Sequence, residues 1–165
     1  MSKTREAEQM FESIYREFHA MVLQICIGYM KGDVDMAKDV AQDVFINTWN
    51  ALEKFRGESG YKTWIYRITV NTCLMQIRNQ KNKISSSLET IPLKAEPVES
   101  ETENDNTELY RAIGKLAEID RLIIMLVLEE LDYSEIEKIM GINSIHLRVK
   151  IHRIRKTLKK LLKPL

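Results

Sequence analysis

At 165 residues the chain has room for one ordinary domain or two small ones, and with 44% hydrophobic and 30% charged residues it has the composition of a folded protein. No apolar run approaches the roughly 20 residues of a membrane helix, and Met1 to Gln9 are polar rather than signal-like, so a cytoplasmic location is expected. Cys26 and Cys73 lie in apolar helical contexts where a thiol acts as a small hydrophobe; none of the three histidines stands at ligand spacing to either, so neither a metal site nor a cofactor is expected.

The formal net charge of +1 conceals a strong segregation. Residues 1–53 sum to −4, 54–83 to +6, 84–137 to −10 and 138–165 to +9. Two basic blocks separated by an acidic one point to two nucleic-acid contacts on one chain, because clustered Lys and Arg neutralise phosphates.

Taken in order, Phe11, Ile14, Tyr15, Phe18, Val22, Ile25 and Tyr29 recur at the helical period and predict a long amphipathic helix over residues 6–31, interrupted at Gly32 and Asp33. A second helix follows, with Ala37, Val40, Ala41, Val44, Phe45, Thr48 and Leu52 turned inward and Asp39, Gln42, Asp43 and Ile46 outward. An acidic stripe carrying one aliphatic group suits a partner rich in Arg as well as it suits plain solvation. The two glycines of Phe55 to Tyr61 predict a loop. A third helix, over 62–79, is expected to bury Trp64, Ile65, Ile68, Thr72 and Met75, leaving Tyr61, Tyr66, Arg67, Asn71 and Arg78 as the kinds of group that hold unpaired bases.

Residues 80–107 lose the period, gain two prolines and serine runs and become acidic, and read as a linker. Fully extended, such a stretch reaches on the order of 90 to 100 Å, enough for the flanking modules to meet distant DNA sites without touching one another. Helices are then expected over 108–116, lined by Leu109, Ala112, Ile113 and Leu116, and over 120–131, lined by Leu122, Ile123, Leu126 and Val127.

Ser134 and Glu137 have the spacing of a capping box, predicting a short helix from there that buries Ile136, Ile139 and Met140 and ends at Gly141. Asn143 or Ser144 can cap the next helix, which completes the grammar of a helix-turn-helix. On that last helix Leu147, Ile151, Ile154 and Leu158 form the core stripe. Opposite stand Ile145, Val149, His152 and Lys156, flanked by Arg148 and Arg153. An ordinary basic surface helix explains the cations but not the two aliphatics, whereas a major groove accommodates both. The expected fold class is therefore all-α, with two small helical domains at 1–79 and 108–165 joined by a flexible acidic linker at 80–107, the second containing the helix-turn-helix.

In this order of parts, the stretches G-D-V-D-M-A-K-D-V-A-Q-D-V-F (Gly32 to Phe45), F-R-G-E-S-G-Y-K-T-W-I-Y-R-I-T-V-N (Phe55 to Asn71) and Y-S-E-I-E-K-I-M-G-I-N with its following basic helix (Tyr133 to Arg155) resemble a bacterial RNA polymerase sigma factor of the small extracytoplasmic-function (ECF) group. The resemblance implies a promoter-specificity subunit that binds core RNA polymerase and helps open promoter DNA. It would place Asp39, Gln42 and Asp43 on the clamp helices of the beta-prime subunit, with further contact to the beta subunit. It assigns Phe55, Gly57, Ser59 and Asn71 to unpaired bases of the minus-ten element, and Arg148, Val149, His152 and Arg153 to the minus-thirty-five element. It also implies control by an anti-sigma protein. The sequence departs from the family where Met36, Lys38 and Met75 replace residues that are commonly acidic or polar.

The alternative is a stand-alone helix-turn-helix regulator, against which the Phe55 to Asn71 stretch and the linker speak. An enzyme such as a nuclease is disfavoured, since no clustered carboxylates, activated nucleophile or phosphate-cradling glycine loop can be read in the sequence.

Overall fold

A computed structural model describes residues 2–57, 60–86 and 106–162. Among these, all regular structure is helical: α1 (Ser2–Tyr29), α2 (Val34–Ala51), a 3-10 turn (Leu52–Lys54), α3 (Tyr61–Ser86), α4 (Asn106–Gly114), α5 (Glu118–Leu128), α6 (Tyr133–Met140) and α7 (Ser144–Leu161). The first three helices pack on one another, and so do the last four.

The turn between α1 and α2 shows why the period breaks there. Lys31 and Gly32 both adopt positive φ, at 60° and 87°, and the Gly32 amide donates back to the Ile27 carbonyl at 2.8 Å, tying up a helix-end acceptor. Asp33 then caps α2, its carboxylate accepting from the Met36 amide at 3.1 Å. All seven inward positions expected of the second helix are buried, Leu52 in the 3-10 turn included. Their neighbours in the core include Val22, Ile25, Cys26, Ile65 and Cys73. Both thiols are fully buried and free. A hydrogen bond with Cys26, together with burial, pushes the Cys73 thiol well above its ordinary range.

The third helix differs from expectation in length and face. It runs on to Ser86, so its last turns occupy the start of the stretch read as linker; residues 87–105 of that stretch lie outside the described residues. Among the side chains described, its buried set is Ile65, Tyr66, Thr69, Val70, Thr72 and Cys73. Met75, expected inside, is 58% exposed, and Tyr66, expected outside, is 2% exposed. The reason is tertiary: α3 packs on α1 and α2 along one side and on α6 along another, so it needs two apolar faces, where a single-stripe reading finds one.

In the last four helices the capping box sits two residues earlier than the S-x-x-E pattern suggests. Asp132 caps α6, accepting from the Glu135 amide at 2.9 Å, while the Glu135 carboxylate accepts from the Asp132 amide. Hydrogen bonds from Ser134 and from the Glu135 amide hold the Asp132 carboxyl below its usual range. The helix closes at Gly141 in the left-handed region (φ 67°), and the Asn143 side chain caps α7 by accepting from the Ile145 amide at 2.8 Å. Leu147, Ile151, Ile154 and Leu158 are buried as the period requires.

The two helical groups touch, although a linker of that length has the reach to let them stand apart. At the seam between α1 and α5, Gly28 faces Met125 so closely that a Cβ at Gly28 would lie 2.1 Å from the thioether sulfur. Beside it, the buried Arg121 donates through Nε to the Tyr29 carbonyl at 3.0 Å and through Nη1 to the Leu116 carbonyl at 2.8 Å. Its guanidinium also lies 5.2 Å from the Tyr29 ring centroid. Gln24 donates to the Tyr110 hydroxyl at 2.6 Å, and Arg67 on α3 donates to the Lys138 carbonyl on α6 at 3.1 Å.

This seam is testable. Gly28→Leu would drive its side chain into that of Met125 and loosen α1 from α5, so it should enlarge the radius of gyration measured by small-angle scattering and cost about 1 to 3 kcal/mol of stability. Arg121→Met, which leaves two buried carbonyls unpaired, should cost a similar amount. Unchanged scattering and unchanged thermal midpoints for both variants would show that the seam does not exist in solution.

Candidate nucleic-acid interface

The outward side of α7 presents cations and aliphatics together. Arg148, His152, Arg153 and Lys156 are exposed, and so are Ile145 at 73% and Val149 at 43%. Among the described residues no carboxylate pairs with Arg148 or Arg153, and residues 138–165 contain nine Lys or Arg and no Asp or Glu. The neighbouring Lys150 is different: its ammonium meets the Asp120 carboxylate at 3.3 Å and ties α7 to α5. The buried stripe and this bridge hold the helix on the remainder of its group, so the four residues Arg148, Val149, His152 and Arg153 are carried by a rigid element and open to solvent.

On α2, Asp39, Gln42, Asp43 and Ile46 are all exposed on the side away from the core. The alternation follows from the inward set, which leaves these positions no apolar neighbour to pack against. The stripe continues toward an aromatic cluster in which Phe11 lies edge-on to Trp49 at 5.4 Å and Tyr15 lies 4.7 Å from Phe45.

The third candidate region spans the loop and α3. Phe55 is half-buried and stacks on Tyr61 at 4.6 Å, with Trp64 at 4.8 Å, so three rings close the base of the loop. Gly57 is exposed with φ 73°, a conformation a side chain rarely adopts, and Ser59 lies outside the described residues. Trp64, Ile68, Asn71 and Met75 fall along one stripe of α3 by their spacing, with Asn71 and Met75 exposed at its far end. Thus Phe55 and Asn71 belong to one continuous side of the helix and its loop, Asn71 standing about 10 Å beyond Trp64 along the axis. Tyr66 and Arg67 do not join them. Both are engaged by the second helical group, Arg67 through the Lys138 carbonyl and Tyr66 beneath α6, where burial, with Glu129 and Glu135 nearby, pushes its phenol far above the ordinary range. The seam residues Gly28, Arg121 and Met125 escaped the sequence reading. The available signals were a glycine inside an apolar helix and a single cation leading the run L-I-I-M-L-V-L.

Comparison with known proteins accords with this layout. Residues 14–83 match the family described as Sigma-70 region 2, and residues 106–158 match Sigma-70, region 4. The chain is 35% identical over 149 residues to the ECF RNA polymerase sigma-E factor of Escherichia coli (strain K12), covering 81% of this chain and 76% of that protein. It is 28% identical over 156 residues to RNA polymerase sigma factor YlaC of Bacillus subtilis (strain 168), covering 90% of each. Among solved structures, the sigma factor RpoE in complex with the anti-sigma factor NepR from Bartonella quintana superposes with a TM-score of 0.72 at 21% identity, over 92% of this chain and 97% of that one. CnrH in complex with the cytosolic domain of CnrY gives 0.65 at 20% identity, over 94% and 88%. Among the described residues no helix is long and apolar enough to cross a membrane. With both regions present in order, a stand-alone helix-turn-helix regulator is not favoured, and the chain belongs to the ECF group of the sigma-70 family, the promoter-specificity factors of bacterial RNA polymerase.

Proposed function

We propose that the two helical groups divide the work of promoter recognition, with residues 1–79 meeting core polymerase and the minus-ten element, residues 108–165 meeting the minus-thirty-five element, and 80–107 joining them in the cytoplasm. The observation that carries this reading is α7. One side is locked into the core, and the other offers cations without a carboxylate partner among the described residues, beside exposed aliphatics at the start of the second helix of a helix-turn-helix. Arg148, Val149, His152 and Arg153 read base edges, while Lys159 and Lys160, further along, meet phosphate.

Asp39, Gln42 and Asp43 dock on an Arg-bearing surface of core polymerase, the clamp helices of beta-prime, with the beta subunit as a second contact. Support comes from the exposure of the whole stripe on a helix whose other side is fully committed to the core. Unpaired minus-ten bases are held along the side of α3 that carries Phe55 and Asn71, with Gly57 and Ser59 shaping the loop. An anti-sigma protein holds the factor inactive, as the two solved neighbours bound to their partners suggest.

In vitro transcription with core polymerase on a library of promoter sequences tests the whole reading, since a chain that gave no promoter-dependent transcripts would not be acting in this way. Charge reversal at Asp39 and Asp43 should weaken core-polymerase binding at least tenfold in a competition assay while thermal stability stays within about 0.5 kcal/mol, as for other surface sites. Equal binding would remove the stripe from the interface.

Asn71→Ala should lower affinity for single-stranded minus-ten oligonucleotides and impair opening of duplex promoters. Unfolding at lower temperature with intact oligonucleotide affinity would make Asn71 structural instead. On α7, Arg148→Ala should cost about 1 to 3 kcal/mol at the cognate element and relax preference at one or two positions. Lys159→Ala should weaken all sequences alike and reduce the salt slope by about one unit. An identical uniform loss for both variants would make α7 an electrostatic anchor rather than a reader.

A further inference from the structure

Ile145 is the most exposed large hydrophobic side chain among the described residues, at 73%, and it stands in the first turn of α7. Its position is not loose: the Asn143 side chain accepts from its amide at 2.8 Å, fixing the turn that carries it. Val149 follows one turn later on the same side, at 43% exposure, so the two branched aliphatics sit about 6 Å apart along the axis. Arg148 and Arg153 flank them, and no carboxylate occurs anywhere from 138 to 165.

An isolated aliphatic on a surface is unremarkable, but a pair at the leading end of a basic helix has a specific chemistry. The N-terminal residues of such a helix are those that approach base edges. In the major groove the apolar feature offered by a base pair is the thymine 5-methyl group, which an aliphatic side chain can cover while neighbouring arginines bond guanine or phosphate. A protein partner burying Ile145 would have to bring acidic groups to neutralise the cations around it. Duplex DNA supplies that charge with its backbone and the apolar contact with its methyl groups.

We propose that Ile145 is a specificity-determining residue that reads a thymine methyl group in the minus-thirty-five element, with Val149 covering a methyl at a neighbouring position. This rests on the assignment of α7 to that element and adds to it the base that the leading turn selects. An element read in this way contains thymine at the position facing Ile145, beside the position that Arg148 contacts.

Deoxyuridine differs from thymidine by that methyl alone, which makes the test direct. Promoters are selected by the holoenzyme, this chain on core polymerase, from a library randomised over the minus-thirty-five positions, and each thymine of the selected element is then replaced singly by deoxyuridine. The wild-type holoenzyme should lose about threefold to fivefold in affinity at one or two positions, the worth of a buried methyl group. The Ile145→Ala holoenzyme should bind the unmodified promoter with a similar loss and show no further loss on replacement at the position facing Ile145; Val149→Ala should behave likewise at the adjacent one. Because Ile145 is 73% exposed, the variant should keep the wild-type thermal midpoint, which is checked alongside. Selected elements without thymine, a wild type indifferent to deoxyuridine everywhere, or an Ile145→Ala variant that stays sensitive at the same position would each overturn the assignment. So would normal DNA affinity with weakened polymerase binding, which would place Ile145 against protein. Failure of the underlying reading looks different: the selection would then show no preference at the minus-thirty-five positions at all, and Arg148→Ala would leave promoter binding unchanged.

Discussion

Arg121 lies where α1, α4 and α5 converge, and it solves a problem that helix ends create. The last carbonyls of a helix have no intrahelical donors, and they carry the negative end of the helix dipole. The Tyr29 carbonyl terminates α1 and the Leu116 carbonyl follows α4; a single buried guanidinium donates to both. A buried cation is tolerable there because both acceptors are fixed and the Tyr29 ring offers its face. The Tyr29 hydroxyl is left buried without a hydrogen-bond partner among the described residues, and burial raises its pKa, so the ring is held for its face rather than for its polar end. Gly28 completes the arrangement by letting α5 approach closely enough for the guanidinium to reach.

From this contact follows the division of α3. With α5 seated on α1, α6 comes to lie along α3, covering Tyr66 and engaging Arg67 while leaving Asn71 and Met75 free. A helix between two packing partners cannot show one apolar stripe, and its hydrophobicity is spread around it accordingly. Met75 is an exposed thioether on the side of α3 that remains open.

What could be read from the sequence was what local physics decides. The core positions of α2 and α7 came out residue by residue because each helix buries one stripe, and Gly141 and Asn143 ended and restarted the chain as their backbone chemistry requires. The cap of α6 lies two residues before the S-x-x-E pattern because Asp132 and Ser134 are both competent caps three residues before a Glu, and propensity does not choose between them. The candidate polymerase and minus-thirty-five residues lie on exposed sides because exposure follows from the same period. The seam was illegible for the opposite reason. Arg121 bonds a carbonyl 92 residues away, and nothing near either residue in sequence records the other. For the same reason helical spacing alone groups Tyr66 and Arg67 with Asn71, whereas the second helical group engages Arg67 and Tyr66 is buried.

The charge blocks acquire a second meaning once the seam is considered. Lys62 and Arg67 belong to the first basic block, while Glu129 and Glu135 belong to the acidic one. Across the seam, Lys62 exerts its field on Glu129, whose carboxyl is nevertheless pushed above the usual range by partial burial, and both glutamates act on Tyr66. The seam therefore sets opposite charges near one another at its rim and holds the Gly28–Met125 contact and the buried Arg121 at its centre. A nucleic-acid strand that met Arg67 would offer a phosphate in place of the Lys138 carbonyl, so the cation that bonds across the seam from α3 is one a strand would claim. Salt screens the exposed cations of α3 in either arrangement, but the Gly28–Met125 contact is indifferent to it. Screening alone thus loosens the rim without dissolving the seam, and separation of the two helical groups requires a partner that replaces the apolar contact as well as the charge.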